Sequence, residues 1–332
     1  MSPPTARPEK PDDWSRYFRS RGHLDARPLA AGAEGTVYRL GDGLVAKVWH
    51  QRPRFDLPAL HEVQRDLARA GLDLATPTVL RVEEHRGRLV TYERELPGSA
   101  LRPDSAVTAP PAGVPERESR ALLAVLRALA SVPATPAMRR LTVRGDDRPL
   151  WRGHDRFPDA LAALVRRSAH RLTPPPGPGP TPRGAPEDTE DTEDARTVGT
   201  AEAAEAAAST AEALERLPDR PVTLVHGDLV PPNIHVDRDG HPVAVLDFGL
   251  LTTAGDPAFD AAVSAATWDM YGPHARRHRA ELTALCADEL GYDHGVLELY
   301  QRAYTLVTHD LFGTDDRDGH FRWCAALLRD AR

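Results

Sequence analysis

Cysteine is nearly absent from this chain. Only Cys286 and Cys324 occur in 332 residues, which excludes a disulfide scaffold and points to a reducing cytoplasm. Long apolar runs are missing too. No stretch of eighteen apolar residues is present, so no membrane span is expected, and the Pro-rich, charged start has no apolar segment of the signal-peptide kind. Excess positive charge is also lacking: the net charge is -7, which argues against nucleic acid as the main partner and leaves a cationic ligand open. Lysine is the scarcest basic residue, with Lys10 and Lys47 set against forty arginines. In a chain that uses arginine almost everywhere, Lys47 marks a place where a compact ammonium is wanted rather than a planar fork.

What is present suffices for one large or two modest domains with a real core. After a start expected to be mobile (1–25), the residues from 27 to 48 alternate as strands and turns, with Gly41-Asp42-Gly43 as a tight turn between two strands. Residues 58–70 place Leu60, Val63, Leu67 and Ala70 on one helical face, and short strands follow at 78–82 and 88–92. Beyond Pro97-Gly98 the pattern is mainly helical, at 116–130, 158–172 and 201–217. Between the last two, seven prolines in 173–186 and six acids in 187–194 describe a surface loop (173–200) unable to bury enough apolar area to order itself. Three short apolar strands come next, at 222–225, 234–236 and 243–246, and helices run from Asp256-Pro257 to the end. The expectation is an α+β chain with a small β-rich lobe over 1–97 and a large helical lobe over 98–332.

The residues with chemical potential sit at strand ends. His226-Gly227-Asp228-Leu229-Val230-Pro231-Pro232-Asn233 follows one strand and Asp247-Phe248-Gly249 another. An Asp followed five residues later by Asn has the spacing of a kinase catalytic loop. There the Asp accepts the proton of the attacking hydroxyl and the Asn binds a metal ion. An Asp before Phe-Gly would hold Mg²⁺ against nucleotide phosphates, and one carboxylate plus one amide oxygen suits that ion. Upstream, Gly32-Ala33-Glu34-Gly35 at a strand turn would let backbone N–H groups approach phosphates. Lys47, twelve residues after Gly35, stands where a lysine would contact the α- and β-phosphates. Such a lysine needs a carboxylate, and Glu62 on the next helix is the expected partner.

These motifs, with Gly255-Asp256-Pro257 and Asp260, resemble the aminoglycoside phosphotransferase family in order and spacing from residue 29 to about 270. The resemblance implies a bilobal protein-kinase-like fold. It implies Asp228 as catalytic base, Asn233 and Asp247 as Mg²⁺ ligands, Lys47 on the phosphates, and His226 and Asp260 as supports of the catalytic loop. The donor would be ATP or GTP. Of the segment joining the lobes, which ends in the family's Leu96-Pro97-Gly98, Tyr92, Glu93 and Glu95 are candidates to face the base, and a bulky Tyr92 would bear on GTP against ATP. One departure is Ala30 in place of the usual first glycine of the loop. A protein substrate is not expected: only seven residues separate Gly249 from Pro257, leaving no room for an activation segment.

The acceptor is left to weaker signals. From His226 onward, 17 acidic side chains face 9 arginines, a balance that would attract an amine-bearing acceptor. Asp269, Glu281, Asp288, Glu289 and Asp315-Asp316-Asp318 are the candidate acids. Trp268, Tyr271, Tyr300, Tyr304, Phe312 and Trp323 would line a sugar or nucleoside pocket or pack the core. The leading expectation is O-phosphorylation of an antibiotic or secondary metabolite, aminoglycoside- or nucleoside-like, for resistance or self-resistance. A metabolic kinase acting on choline, homoserine or a sugar is the alternative. A kinase fold that only binds is a third reading, opposed by intact Lys47, Asp228, Asn233 and Asp247.

Overall fold

The computed structural model describes residues 11–32, 35–50, 57–102, 111–143, 146, 148–169, 171, 200–312 and 319–330. Its first element is a helix, α1 (Pro11–Ser20), followed by β1 (Arg27–Ala31), β2 (Gly35–Gly41) and β3 (Leu44–Trp49). Helix α2 (Leu57–Ala70) precedes β4 (Val79–His85) and β5 (Arg88–Arg94). The five strands form one antiparallel sheet in the order β1-β2-β3-β5-β4. The hairpin between β2 and β3 turns through Asp42 and Gly43, both at positive φ (51° and 68°), the geometry that matches strand twist in a two-residue loop. Gly35 has a steric reason to be glycine, because a Cβ there would lie 2.4 Å from the Val48 carbonyl oxygen of β3.

Alternation sorts the sheet into two faces. Tyr38, Leu40, Ala46, Val48, Val90 and Tyr92 point to one side and bury Trp14 and Phe18 of α1 against them. Lys47 and Thr91 are paired across β3 and β5, as are Val45 and Glu93, and so share the opposite face. The α1 helix corrects the expectation of a mobile start over 1–25, for residues 11 onward. Its signal was Trp14, Tyr17 and Phe18 at helical spacing, diluted among Asp12, Asp13, Arg16 and Arg19. Phe18 is fully buried, in contact with the rings of Trp14, Tyr17, Tyr38 and Tyr92.

The second, larger core begins with Leu60, Val63 and Leu67 of α2 and continues through the helical part. Chain order there is β6 (Ser99–Ala100), α3 (Glu116–Ala130), α4 (Pro136–Arg140), α5 (Phe157–Ala169), α6 (Thr200–Glu215) and β7 (Thr223–Val225). After a 3-10 turn at Pro231–Asn233 come β8 (Ile234–Val236), β9 (Pro242–Val245), β10 (Thr253–Gly255), α7 (Ala258–Thr267), α8 (Ala275–Leu290), α9 (His294–Thr308) and α10 (Gly319–Asp330). Thr135 caps α4 through its side chain and Asp293 caps α9. Helix α7 is buried on every face, which a mostly Ala and Val sequence permits. The small sheets β10-β7 and β6-β8-β9 lie where the chain turns, and their ends carry the motif residues. Of the expected 173–200 loop only Thr200 falls among the described residues.

Replacing Phe18 with Ala should remove the plug between α1 and the sheet and destabilise the protein by about 3–5 kcal/mol. Equilibrium urea unfolding measures this. A loss within about 0.5 kcal/mol, as for a surface site, would mean that α1 does not contribute to the core.

Candidate active site

The segment after β7 is held by one carboxylate. Asp260, on the first turn of α7, accepts the backbone N–H of His226 (2.8 Å) and of Gly227 (2.8 Å). Gly227 adopts φ +78°, and a Cβ would meet the Leu251 backbone at 2.5 Å, so the chain can pass only as glycine. Thr252 joins this turn to the next one, donating to the His226 carbonyl (2.8 Å) and accepting the Gly249 N–H (2.8 Å). The buried His226 ring packs on Phe248 at 4.4 Å. Its Nε2 faces the Leu246 carbonyl (2.7 Å) while Nδ1 accepts the Asp228 N–H (3.2 Å). That pair of contacts requires the neutral ring protonated on Nε2. Burial pushes the His226 pKa down to about 4, and burial pushes Asp260 up to about 6 against the pull of its two N–H donors.

This frame presents Asp228 partly exposed at the head of the loop. Its Oδ1 accepts the Tyr304 hydroxyl from α9 at 3.4 Å. Burial raises the Tyr304 pKa well above its ordinary value, so the phenol stays a donor. Asn233 closes the loop by donating its side-chain N–H to the Asp228 carbonyl (2.9 Å), which turns its amide oxygen away from that bond. The Asn233 carbonyl in turn accepts the Leu246 N–H (2.9 Å), so Asn233 and Asp247 are tied through adjacent backbone.

Asp247 takes φ +61°, a left-handed conformation rare for a residue with a side chain. Such backbone costs on the order of 1–3 kcal/mol and persists where the surroundings impose it. Its carboxylate accepts Lys47 Nζ at 2.9 Å. Burial would lift its pKa, but the Lys47 ammonium outweighs it and holds the carboxyl below its usual range. The carboxylate is nonetheless 48% exposed, open to a further ligand. Lys47 itself lies over the Trp49 ring, 4.0 Å from its centroid. Trp49 donates to Thr91 (3.3 Å), and Thr91 donates to Glu93 (2.8 Å). Burial first, and then the Asp247 charge, raise the Glu93 pKa, with Thr91 and Lys47 opposing.

The structure thus brings together Lys47, Asp228, Asn233, Asp247, His226 and Asp260, and it puts Glu93 on the same sheet face as Lys47. The Gly32 N–H donates to the Gly35 carbonyl (2.9 Å), closing the glycine turn; Ala33 and Glu34 lie outside the described residues. Two expectations are corrected, those for Glu62 and Tyr92. Glu62 is paired with Arg140 of α4 and not with Lys47, whose ammonium is directed at Asp247 instead. Tyr92 faces away from Lys47: paired with Ala46, it points toward α1, donates to Glu83 (2.6 Å) and lies under the Arg81 guanidinium. Glu95 is engaged by Arg39 (2.8 Å). Sequence reasoning missed Thr91, Trp49 and Thr252 as parts of the site. The register of β3 against β5 would have found Thr91, opposite Lys47.

For a divalent ion the donor set is one half-exposed carboxylate, Asp247, and one amide oxygen, Asn233. Hard oxygen donors few in number fit Mg²⁺ bound mainly through phosphates. The three-ligand cluster found among the described residues, Asp237, Asp239 and His241, lies elsewhere, on the exposed β8–β9 turn.

The family model described as "Phosphotransferase enzyme family" matches residues 25–292. No curated protein sequence matches. Among solved structures, an aminoglycoside phosphotransferase of Streptomyces rimosus, with ADP and streptomycin, aligns at TM-score 0.54 and 16% identity, covering 89% of this chain and 97% of that one. The GDP complex of an aminoglycoside 2'-phosphotransferase gives TM-score 0.56 at 12% identity, covering 97% and 98%. A macrolide 2'-phosphotransferase of Brachybacterium faecium gives 0.52 at 20%, again covering 97% and 98%. At these identities the likeness is one of fold, and the fold is the kinase-like one.

The opposed shifts of His226 and Asp260 make a test. Folding lowers the His226 pKa, so that residue loses stability as pH falls from 6.5 toward 4. Folding raises the Asp260 pKa, so that residue loses stability as pH climbs from 3.8 toward 6. In the wild type the two slopes largely cancel between those limits. Asp260→Asn should expose the histidine slope: relative to wild type, its unfolding free energy should rise with pH by up to about 1.4 kcal/mol per unit in that window. Denaturant melts at several pH values would show it, and parallel curves would contradict the assignment.

Proposed function

The chain belongs to the phosphotransferase enzyme family, and from that premise we propose that it transfers the γ-phosphoryl group of ATP or GTP, with Mg²⁺, to a hydroxyl of a small-molecule antibiotic or secondary metabolite. The observation that carries this reading is the 2.9 Å contact of Lys47 with Asp247, 200 residues apart, beside an Asp228 whose loop is braced on two sides. It joins a cation suited to phosphates to a carboxylate suited to a metal.

In this reading Lys47 neutralises charge on the α- and β-phosphates, and Asn233 and Asp247 would hold Mg²⁺. When bound there, the ion would neutralise charge on the nucleotide's phosphates. Asp228 accepts the proton of the acceptor hydroxyl as its oxygen bonds to the γ-phosphorus and the bridge to the nucleoside diphosphate breaks. Tyr304 donates to Oδ1 of this carboxylate (3.4 Å) and so fixes its orientation. Because the phosphoryl transition state is loose, most of the protein's contribution is position and charge. The intact set of four residues opposes a binding-only fold. No described helix is long and apolar enough to cross a membrane, and the buried Cys286 and Cys324, which form no disulfide, suit a reducing cytoplasm.

Transfer of γ-labelled phosphate from ATP and GTP to a panel of aminoglycosides, macrolides, nucleosides, choline and sugars tests the proposal. Asp228→Ala should lower kcat by about 10²–10⁴-fold, the range of general base catalysis. Lys47→Ala should weaken nucleotide use most. Transfer undiminished in Asp228→Ala would remove the base assignment.

A further inference from the structure

A cavity of about 360 Å³ lies between α6, α9 and α10, at the small end of the range of ligand pockets. Glu202, Glu205, Ser209 and Thr210 of α6 line it, together with Arg302 of α9 and Leu328 of α10. Residues 202, 205 and 209 share one face of α6, while Ala203, Ala207, Ala211 and Leu214 form the buried stripe beside it.

This cavity is not the catalytic cleft. Tyr304, which donates to Asp228, follows Arg302 by two residues on α9. Two residues turn an α-helix through about 200°. Arg302 and Tyr304 therefore leave α9 on opposite sides, and the helix itself stands between the cavity and Asp228.

Unmatched charge sets the cavity apart. Arg302 is part-buried, its Nε is covered without a hydrogen-bond partner, and it forms no ion pair with a described residue. Other part-buried arginines have a carboxylate: Arg102 faces Glu118, Arg167 Asp146, Arg171 Asp310 and Arg220 Asp256. A covered guanidinium without a counter-charge is costly, and its planar fork suits a carboxylate. Acids of the helical part are largely committed in turn. Asp269 lies 3.3 Å from His278, Glu281 accepts Arg277 (2.8 Å), and Glu289 takes Arg127 (3.0 Å). The cluster at 315–318 lies outside the described residues. Glu205, exposed at the cavity, has no such partner among the described residues.

Arg302 and Glu205 thus border one cavity without meeting each other. A bare anion would answer the arginine and be repelled by the glutamate, and a bare amine would do the reverse. A molecule carrying both charges is complementary to both. We infer that the cavity binds a small zwitterion, an α-amino acid. Its carboxylate lies on Arg302, its ammonium at Glu205, and its side chain, aliphatic by this lining, against Leu328. Since the site is behind α9, the inference does not rest on the role given to Asp228.

The test is saturation-transfer NMR on the full chain with the twenty proteinogenic L-amino acids at millimolar concentration, followed by titration with leucine. Leucine should bind. Isocaproate, which lacks the ammonium, and isoamylamine, which lacks the carboxylate, should each bind about tenfold more weakly or worse. Arg302→Ala and Glu205→Gln should each weaken leucine by about tenfold or more, the size of one lost charge-assisted hydrogen bond. Unchanged nucleotide affinity in both variants would report an intact fold, and leucine should still bind Asp228→Ala. Silence of all twenty amino acids would overturn the site. So would leucine binding untouched by Arg302→Ala, or binding lost in Asp228→Ala, which would place the amino acid in the catalytic cleft. Isocaproate binding as tightly as leucine, with Glu205→Gln indifferent, would replace the zwitterion by a simple anion and overturn the assignment.

Discussion

One carboxylate governs the site. Asp260 satisfies the N–H groups of His226 and Gly227 from within a fully buried helix. Without it two buried donors would be orphaned, each at about 1–3 kcal/mol. From that brace follow the position of Asp228, the neutral tautomer of His226, and, through Thr252, the turn that carries Asp247 and Gly249. The burial that strengthens these hydrogen bonds also pushes Asp260 toward protonation. Desolvation and hydrogen bonding therefore act against each other at the point where rigidity is most needed.

Rigidity there is matched by strain next to it. Asp247 sits at φ +61° because the strand before it and the turn after it are fixed by Asn233, Thr252 and His226. The result is a carboxylate held toward Lys47 from the opposite part of the fold. Lys47 is positioned independently, by the register of β3 with β5 and by the Trp49 ring beneath its ammonium. Two separately built pieces meet at one ion pair, and the space around that pair is where a triphosphate and its metal belong in our reading.

The motif residues were legible from sequence because their chemistry depends on order and spacing along the chain. Asp228, Asn233, Asp247 and Asp260 lie within 33 residues, each next to a short apolar strand or helix start, and hydrogen bonds tie Asp260 to the start of the Asp228 loop and Asn233 to the residues beside Asp228 and Asp247. Partners across the fold were not legible in that way. Pairing Lys47 with Glu62 assumed that the nearest acid on the next helix would turn inward, but Arg140 on α4 claims it. Tyr92 was misassigned because the face of a strand residue depends on register, and one step along β5 reverses it. The α1 helix was missed because its three aromatics are embedded in charge, and their value appears only when the sheet supplies a face to cover.

The central claim is that these residues direct attack onto the γ-phosphorus of a bound nucleotide. It is tested most directly, without knowing the acceptor, by slow turnover of ATP and GTP in ¹⁸O-water with Mg²⁺. Mass spectrometry then shows which product carries the label. The account predicts ¹⁸O in inorganic phosphate and none in the nucleoside diphosphate, with the signal lost in Asp228→Ala and Asp247→Ala. Label in the diphosphate, or wild-type turnover that survives both substitutions, would contradict it.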